Sequence, residues 1–199
     1  MLIELKGFGV ENKGGELMYL AVVDALERAG LSATLAVEPR GDFRARMHYP
    51  LLTKFWFTKG GVQFGPLGRV VPRAMRSRFG IILDSETEAI LDASGFAYGD
   101  TWGAKKTQER LGRYIRDWKR SGKKIVLLPQ AFGPFEEPGA ADAMRRVLEH
   151  ADLVFARDPQ SRAYLDALGS YPCLRSAPDF TNLLHPPKPE DFDDEDIEE

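Results

Sequence analysis

Apolar residues recur along this chain in short runs separated by turn residues, and between several of those runs the spacing turns helical. Leu2-Ile3-Glu4-Leu5 reads as a strand. It runs into a glycine-rich turn, residues 7–15, and then into a helix-like stretch from Glu16 to Ala29. Ala33 to Val37 reads as a second strand, ended by Glu38-Pro39-Arg40-Gly41. Residues 42–80 are less regular. They hold an apolar-aromatic patch, Leu51 to Phe57, and a glycine-rich loop from Gly60 to Gly68. Ala89 to Asp92 reads as a third strand. Leu111, Tyr114, Ile115 and Trp118 keep helical spacing within residues 107–120. Lys124 to Leu128 is nearly continuous in apolar residues, as a parallel strand buried on both faces should be. A helix marked by Ala140, Met144, Val147, Leu148 and Ala151 follows. Then come a strand at Leu153–Ala156, a helix from Pro159 to Leu168 and a strand at Pro172–Ser176.

This alternation predicts an α/β fold: a Rossmann-like open parallel sheet with helices on both faces. Its extent is expected to be residues 1–184. Residues 185–199 read as a Pro-rich linker, His185-Pro186-Pro187-Lys188-Pro189, and an acidic disordered tail. The chain has 199 residues and is 43% apolar, which suits one folded unit. Its formal net charge of −3 conceals an asymmetry. Residues 190–199 carry eight acidic groups and no basic one, which leaves 27 basic against 22 acidic residues in the rest. A mildly basic folded part without aromatic-basic interleaving favours small anionic ligands over nucleic acid. No apolar run approaches the roughly 20 residues of a membrane span, and no basic segment followed by an apolar core opens the chain. With a single cysteine, Cys173, expected to pack in the core, a cytoplasmic location is expected.

In an open parallel sheet, ligands sit beyond the carboxyl ends of the strands. The chemistry-bearing residues collect there. Asn12, Gly14 and Gly15 lie in a strand–turn–helix layout that aims backbone N–H groups at an anion. The spacing is neither G-x-G-x-x-G nor a phosphate loop ending in Gly-Lys-Ser/Thr. Asp92, Ser94 and Asp100 suit acid–base work or the holding of a sugar hydroxyl; for Asp92, capping of its own loop is the competing reading. Gly95 shares that loop. Tyr98 and Trp102 either stack on a sugar ring or pack internally. Gln130 lies where a strand meets a turn and can donate to a ligand. Arg157 ends an apolar strand, ahead of Asp158 as helix cap and Pro159 as first helical residue. Its guanidinium either grips a carboxylate or phosphate or pairs with Asp158 or Asp179. His48, His150 and His185 are scattered and show no metal spacing, and no nucleophilic triad is visible.

Five segments together resemble the polysaccharide pyruvyl transferase family. They are residues 7–17, Asp92 to Tyr98, Leu128 to Pro134, Ala151 to Asp158 with Ser161, and Ala177-Pro178-Asp179. The resemblance implies a glycosyltransferase-B-like fold, of which this chain is the N-terminal half. It implies transfer of the pyruvyl group of phosphoenolpyruvate onto a pair of sugar hydroxyls in cell-surface polysaccharide synthesis. It makes phosphoenolpyruvate the donor substrate, a saccharide the acceptor and Arg157 a donor contact, with no further cofactor. Family members run to about twice this length, so a C-terminal domain or second chain is expected to complete the site and to supply the catalytic groups. Two other readings are a non-catalytic binding module that needs a partner domain, and half of a glycosyltransferase that uses a nucleotide-sugar.

Overall fold

A computed structural model describes residues 1–9, 13–39, 47–59 and 62–184. The expected linker and acidic tail, and Asn12, lie outside the described residues. The strands are β1 (Leu2–Lys6), β2 (Thr34–Val37), β3 (Leu52–Lys54), β4 (Thr58–Lys59), β5 (Val62–Gln63) and β6 (Ile81–Ile82). The series continues with β7 (Ala89–Asp92), β8 (Phe96–Tyr98), β9 (Lys124–Phe132), β10 (Leu153–Ala156) and β11 (Leu174–Ser176). The helices are α1 (Lys13–Arg28), α2 (Arg73–Arg78), α3 (Gly103–Thr107), α4 (Ile115–Arg120), α5 (Ala140–His150) and α6 (Pro159–Asp166).

Nine of these strands, among the described residues, form one open sheet in the order β11-β10-β9-β7-β1-β2-β3-β6, with β8 pairing β9 off this path. Every pairing in that sheet is parallel. β4 and β5 form a separate antiparallel hairpin. The fold is therefore the Rossmann-like α/β arrangement that the alternation predicts.

Strand side chains alternate between the two faces, and the core divides accordingly. Ile3 and Leu5 of β1 pack with Tyr19 and Val22 of α1 on one face. On the other, Ile90, Ile125, Leu127 and Val154 pack with Ile115 of α4 and with Met144 and Val147 of α5. The apolar period of α5 is the cause: the stripe that predicts the helix is the stripe that is buried. Cys173 is buried, and its thiol donates to the Leu148 carbonyl at 3.1 Å.

Three features depart from the sequence pattern. The expected helix over 107–120 is broken: Gln108–Gly112 runs as a π-helical turn between α3 and α4. Such a wide turn re-aims side chains, and here it carries Arg110. β6 and β8 have only two and three residues, too short to show a period. The third departure is in β1. Glu4 and Lys6 alternate with Ile3 and Leu5 as if facing water, yet α4 and the Trp56 loop cover them.

These charges form a buried cluster. Glu4 and Lys54 are both 0% exposed. The Glu4 carboxylate lies 3.0 Å from Lys6 Nζ and 2.6 Å from Lys54 Nζ. Lys6 also pairs with Glu38 just beyond β2. Lys54 lies 3.2 Å from Asp84, which also holds Lys123 at 3.2 Å and accepts from the Trp118 indole at 3.1 Å. Burial works against the charge on Lys6, but Glu4 and Glu38 outweigh it and raise its pKa. For Lys54, burial and then the neighbouring Lys6 charge win, and its pKa falls below the usual lysine range. Lys54 Nζ also sits 3.8 Å from the centre of the Trp56 ring, a cation–π contact.

Removing one partner from such a cluster strands the others. Glu4→Ala is expected to cost about 3–5 kcal/mol, read as a lower urea midpoint. The double change Glu4→Leu, Lys54→Met should cost less than the sum of its single changes.

Candidate functional site

The carboxyl ends of β1, β7, β9, β10 and β11 lie side by side, and their loops touch in sequence. After β1 the chain turns at Gly7, with φ +84°; a Cβ there would stand 2.5 Å from the Ser94 Cα. Only glycine allows that approach and that dihedral together. At the start of α1, Gly15 packs on Gly9, while Gly14 is exposed. Ser94 and Gly95 follow β7. Their loop is tied to β9 because Ala131 N–H donates to the Gly95 carbonyl at 2.9 Å. Arg157 N–H donates to the Gln130 carbonyl at 3.1 Å, which places these two residues on neighbouring strand ends. The fold thus brings Ser94, Gly95, Gln130 and Arg157 together along one rim, with the Gly7 turn and the start of α1 beside them.

Each side chain's state follows from its partners. Asp92 caps its own loop: Oδ1 accepts from the Ser94 N–H at 3.0 Å and from the Ser94 hydroxyl. Tyr98 is 0% exposed. Its hydroxyl donates to Asp92, and its ring stacks on Phe132 with centroids 6.0 Å apart. Burial, and then the Asp92 charge, push its pKa well above the usual tyrosine range. Tyr98 therefore packs internally and offers no open face to a sugar. Trp102 is about half exposed, with Lys106 over its ring at 5.3 Å. Asp100 accepts from the N–H groups of Glu136 and Glu137 at 2.8 and 3.0 Å, a loop-holding role. Arg157 pairs with Asp179 at 3.2 Å and keeps about a third of its side chain exposed. The ion-pair reading is realised with Asp179, while the guanidinium still reaches solvent.

Gln130 stands apart. It is 0% exposed, and neither its Oε1 nor its Nε2 has a hydrogen-bond partner among the described residues. A buried amide left unpaired costs about 1–3 kcal/mol. It sits at the carboxyl rim of the sheet, the end at which open parallel sheets bind ligands, and a ligand's polar atoms could repay that cost.

The rim also holds residues that no sequence pattern singles out. Arg110, on the π-helical turn, donates to the Ser94 hydroxyl. With Lys6, Gly7, Phe8 and Glu38 it lines a small hollow of about 30 Å³. Glu38 also borders a cavity of about 540 Å³, walled by Trp56 and Tyr114 and edged by Lys105, Glu109 and Arg113. Trp56 and Tyr114 meet edge to face at 4.9 Å. Trp56 was legible only as part of an apolar-aromatic patch, and Arg110 and Arg113 as ordinary helix positions. A hollow of similar size, about 560 Å³, opens at the opposite rim among Leu2, Thr34, Arg73, Arg76, Glu86 and Glu88. That end lacks the strand-to-helix loops where ligands of open parallel sheets bind. Among the described residues no three His, Cys, Asp or Glu side chains converge as a metal site.

Asp158 supports this rim from below. Its carboxylate accepts from the Ser161 N–H at 2.7 Å and from the Ser161 hydroxyl at 2.8 Å, capping α6. That hydroxyl in turn accepts from the Phe132 N–H at 2.9 Å, two residues beyond Gln130. Burial opposes the Asp158 charge, but the Ser161 bonds and Arg157 outweigh it and lower its pKa; Asp84 and Asp152 are lowered likewise. Folded-state values below the unfolded value of about 3.9 give stability that is present above that pH and lost below it. Unfolding free energy is thus expected to fall on acidification below about pH 4. Asp158→Ala should cost about 1 kcal/mol at neutral pH and make the acid loss shallower; urea titrations across pH check both.

The model of the family described as polysaccharide pyruvyl transferase matches residues 12–198 of the chain. Comparison with curated proteins finds no match. The match spans the start of α1, the ends of β7, β9, β10 and β11 and nearly the full sequence, and the chain belongs to the polysaccharide pyruvyl transferase family.

Proposed function

We propose that this chain binds phosphoenolpyruvate at the carboxyl rim of its sheet and contributes one wall of a site that passes the pyruvyl group to a saccharide. The observation that carries this reading is the unpaired, fully buried Gln130 amide beside Arg157. Phosphoenolpyruvate carries a phosphate and a carboxylate. A guanidinium that still reaches solvent can take one of them bidentately, and the amide can donate to an anionic oxygen. Gly14 and Gly15, at the positive end of the α1 dipole, offer a second anion-favouring group on the same rim. Ser94 and Gly95 close the floor between them, and Asn12 belongs to the same turn by sequence.

The cavity of about 540 Å³ suits the acceptor. An aromatic wall at Trp56 and Tyr114 offers an apolar face to sugar C–H groups, and Glu38 and Glu109 offer hydroxyl acceptors. Glu38 borders both this cavity and the small hollow beside the Gly7 turn, which supports an acceptor lying on the same rim as the donor. Addition to the enol carbon also needs a proton donor. His150 does not provide it, because it ends α5, the helix that leads into the start of β10, away from the carboxyl rim. In this reading the acid comes from a further domain or second chain, and the chain alone turns over poorly.

Calorimetric titration of the full chain with phosphoenolpyruvate tests the donor. Binding is expected, and Arg157→Ala and Gln130→Leu should each weaken it by roughly 10- to 100-fold, as for a lost charge-assisted hydrogen bond. Binding of a nucleotide-sugar with no phosphoenolpyruvate signal would falsify the reading. For the acceptor, Trp56→Ala should weaken saccharide binding by about tenfold with phosphoenolpyruvate affinity unchanged. Equal loss of both would mean that Trp56 acts only through the fold.

A further inference from the structure

Away from the carboxyl rim, residues 65–79 form an unusual surface. Between Asp42 and Asp84 the chain has no acidic residue, and residues 65–79 alone contain Arg69, Arg73, Arg76 and Arg78. The segment is a 3₁₀ stretch, Gly65–Val70, followed by α2. Two anchors hold it to the domain. Gly68 is buried so closely that a Cβ would stand 2.6 Å from Leu83 and 2.8 Å from Phe55. Arg76 is buried too, bonding Glu86 with both terminal nitrogens at 2.6 and 3.1 Å and the Val71 carbonyl at 3.2 Å.

Between and around those anchors the large apolar side chains point outward. Val70 is 80% exposed and Phe79 68%, and Leu67 and Met75 are each more than half exposed. Isolated exposed apolar residues are ordinary; four within thirteen residues are not. Arg69, Arg73 and Arg78 are exposed among them. Arg69 and Arg78 make no ion pair among the described residues. Apolar side chains interleaved with unpaired arginines, with no acidic residue near in sequence, match one kind of surface. It is an anionic lipid headgroup layer, where the apolar groups enter the acyl boundary and the guanidiniums stay with phosphates. Nucleic acid would satisfy the arginines but leave Leu67, Val70 and Met75 unburied.

We propose that residues 65–79 dock this protein peripherally on an anionic lipid surface. The docking needs no spanning segment, consistent with the lack of a helix long and apolar enough to cross a membrane among the described residues. It stands independently of the donor and acceptor assignments, which calorimetry reads without lipid.

Co-sedimentation of the full chain with vesicles tests it. Pelleting is expected with phosphatidylcholine vesicles that contain phosphatidylglycerol, and little with pure phosphatidylcholine. It should be lost at roughly 1 M salt, where screening shortens to ~3 Å. Arg69→Glu with Arg78→Glu should lower partitioning at least about tenfold. Val70→Ser with Phe79→Ser should also lower it, because the acyl contact goes. Both double variants spare Gly68 and Arg76, and an unchanged thermal midpoint certifies their fold. Equal pelleting with both vesicle types, none with either, or double variants that partition like the parent chain would overturn the proposal. So would heparin binding that depends on the arginines but not on Phe79, without vesicle binding.

Discussion

The buried ionic cluster around Glu4 is the constraint on which the site depends. A carboxylate in the central strand with two lysines within 3.0 Å cannot shift without exposing or orphaning a charge. It couples β1 to β3 through Lys54, to the end of β2 through Lys6 and Glu38, and to Asp84 and Lys123 beyond. Trp56 and Trp118 roof it, and Trp56 is at once the wall of the larger rim cavity. Desolvating these charges is costly, so the cluster is better understood as fixing the position of the Trp56 wall than as a net source of stability. Rigidity beneath an aromatic face is what a binding surface needs.

A second constraint is the close approach of loops at the rim. Gly7 against Ser94, Gly15 against Gly9 and the tie from Ala131 to Gly95 draw three strand ends into one surface. The glycines serve contact as much as conformation: they let backbone meet backbone without a Cβ between. Asp92 and Asp158 then freeze the surface by capping, one the loop that carries Ser94 and the other the helix behind Gln130. The result is a rim tied together through its backbone, in which the Gln130 amide has no hydrogen-bond partner among the described residues and Arg157 keeps about a third of its side chain exposed.

Legibility followed the length of the apolar period. Ala89–Asp92 and Leu153–Ala156 are strands with the boundaries that the sequence predicts, because buried parallel strands write their whole length in apolar residues. β9 runs four residues past its apolar run, to Phe132, because β10 pairs it at Gln130 and β8 at Ala131 and Phe132. β3, β6 and β8 left no period to find. The helix over 107–120 was legible as a stripe but not as broken, since Leu111, Tyr114, Ile115 and Trp118 keep helical spacing in sequence whatever turn the backbone takes before them.

Local chemistry determined the α/β alternation, the glycine turn, the cap at Asp158 and the list of strand-end residues, because each depends on neighbours within a few positions. The tertiary structure alone decided which strand ends touch, that Arg157 meets Asp179, and that Tyr98 is sealed inside while Trp56 walls a cavity. It alone buried Glu4 and Lys6, whose alternation with Ile3 and Leu5 reads as a solvent face. The physical reason is that side-chain period reports only which face of the sheet a residue occupies. What covers that face, water or a tryptophan from fifty residues away, is settled by packing between segments distant in sequence.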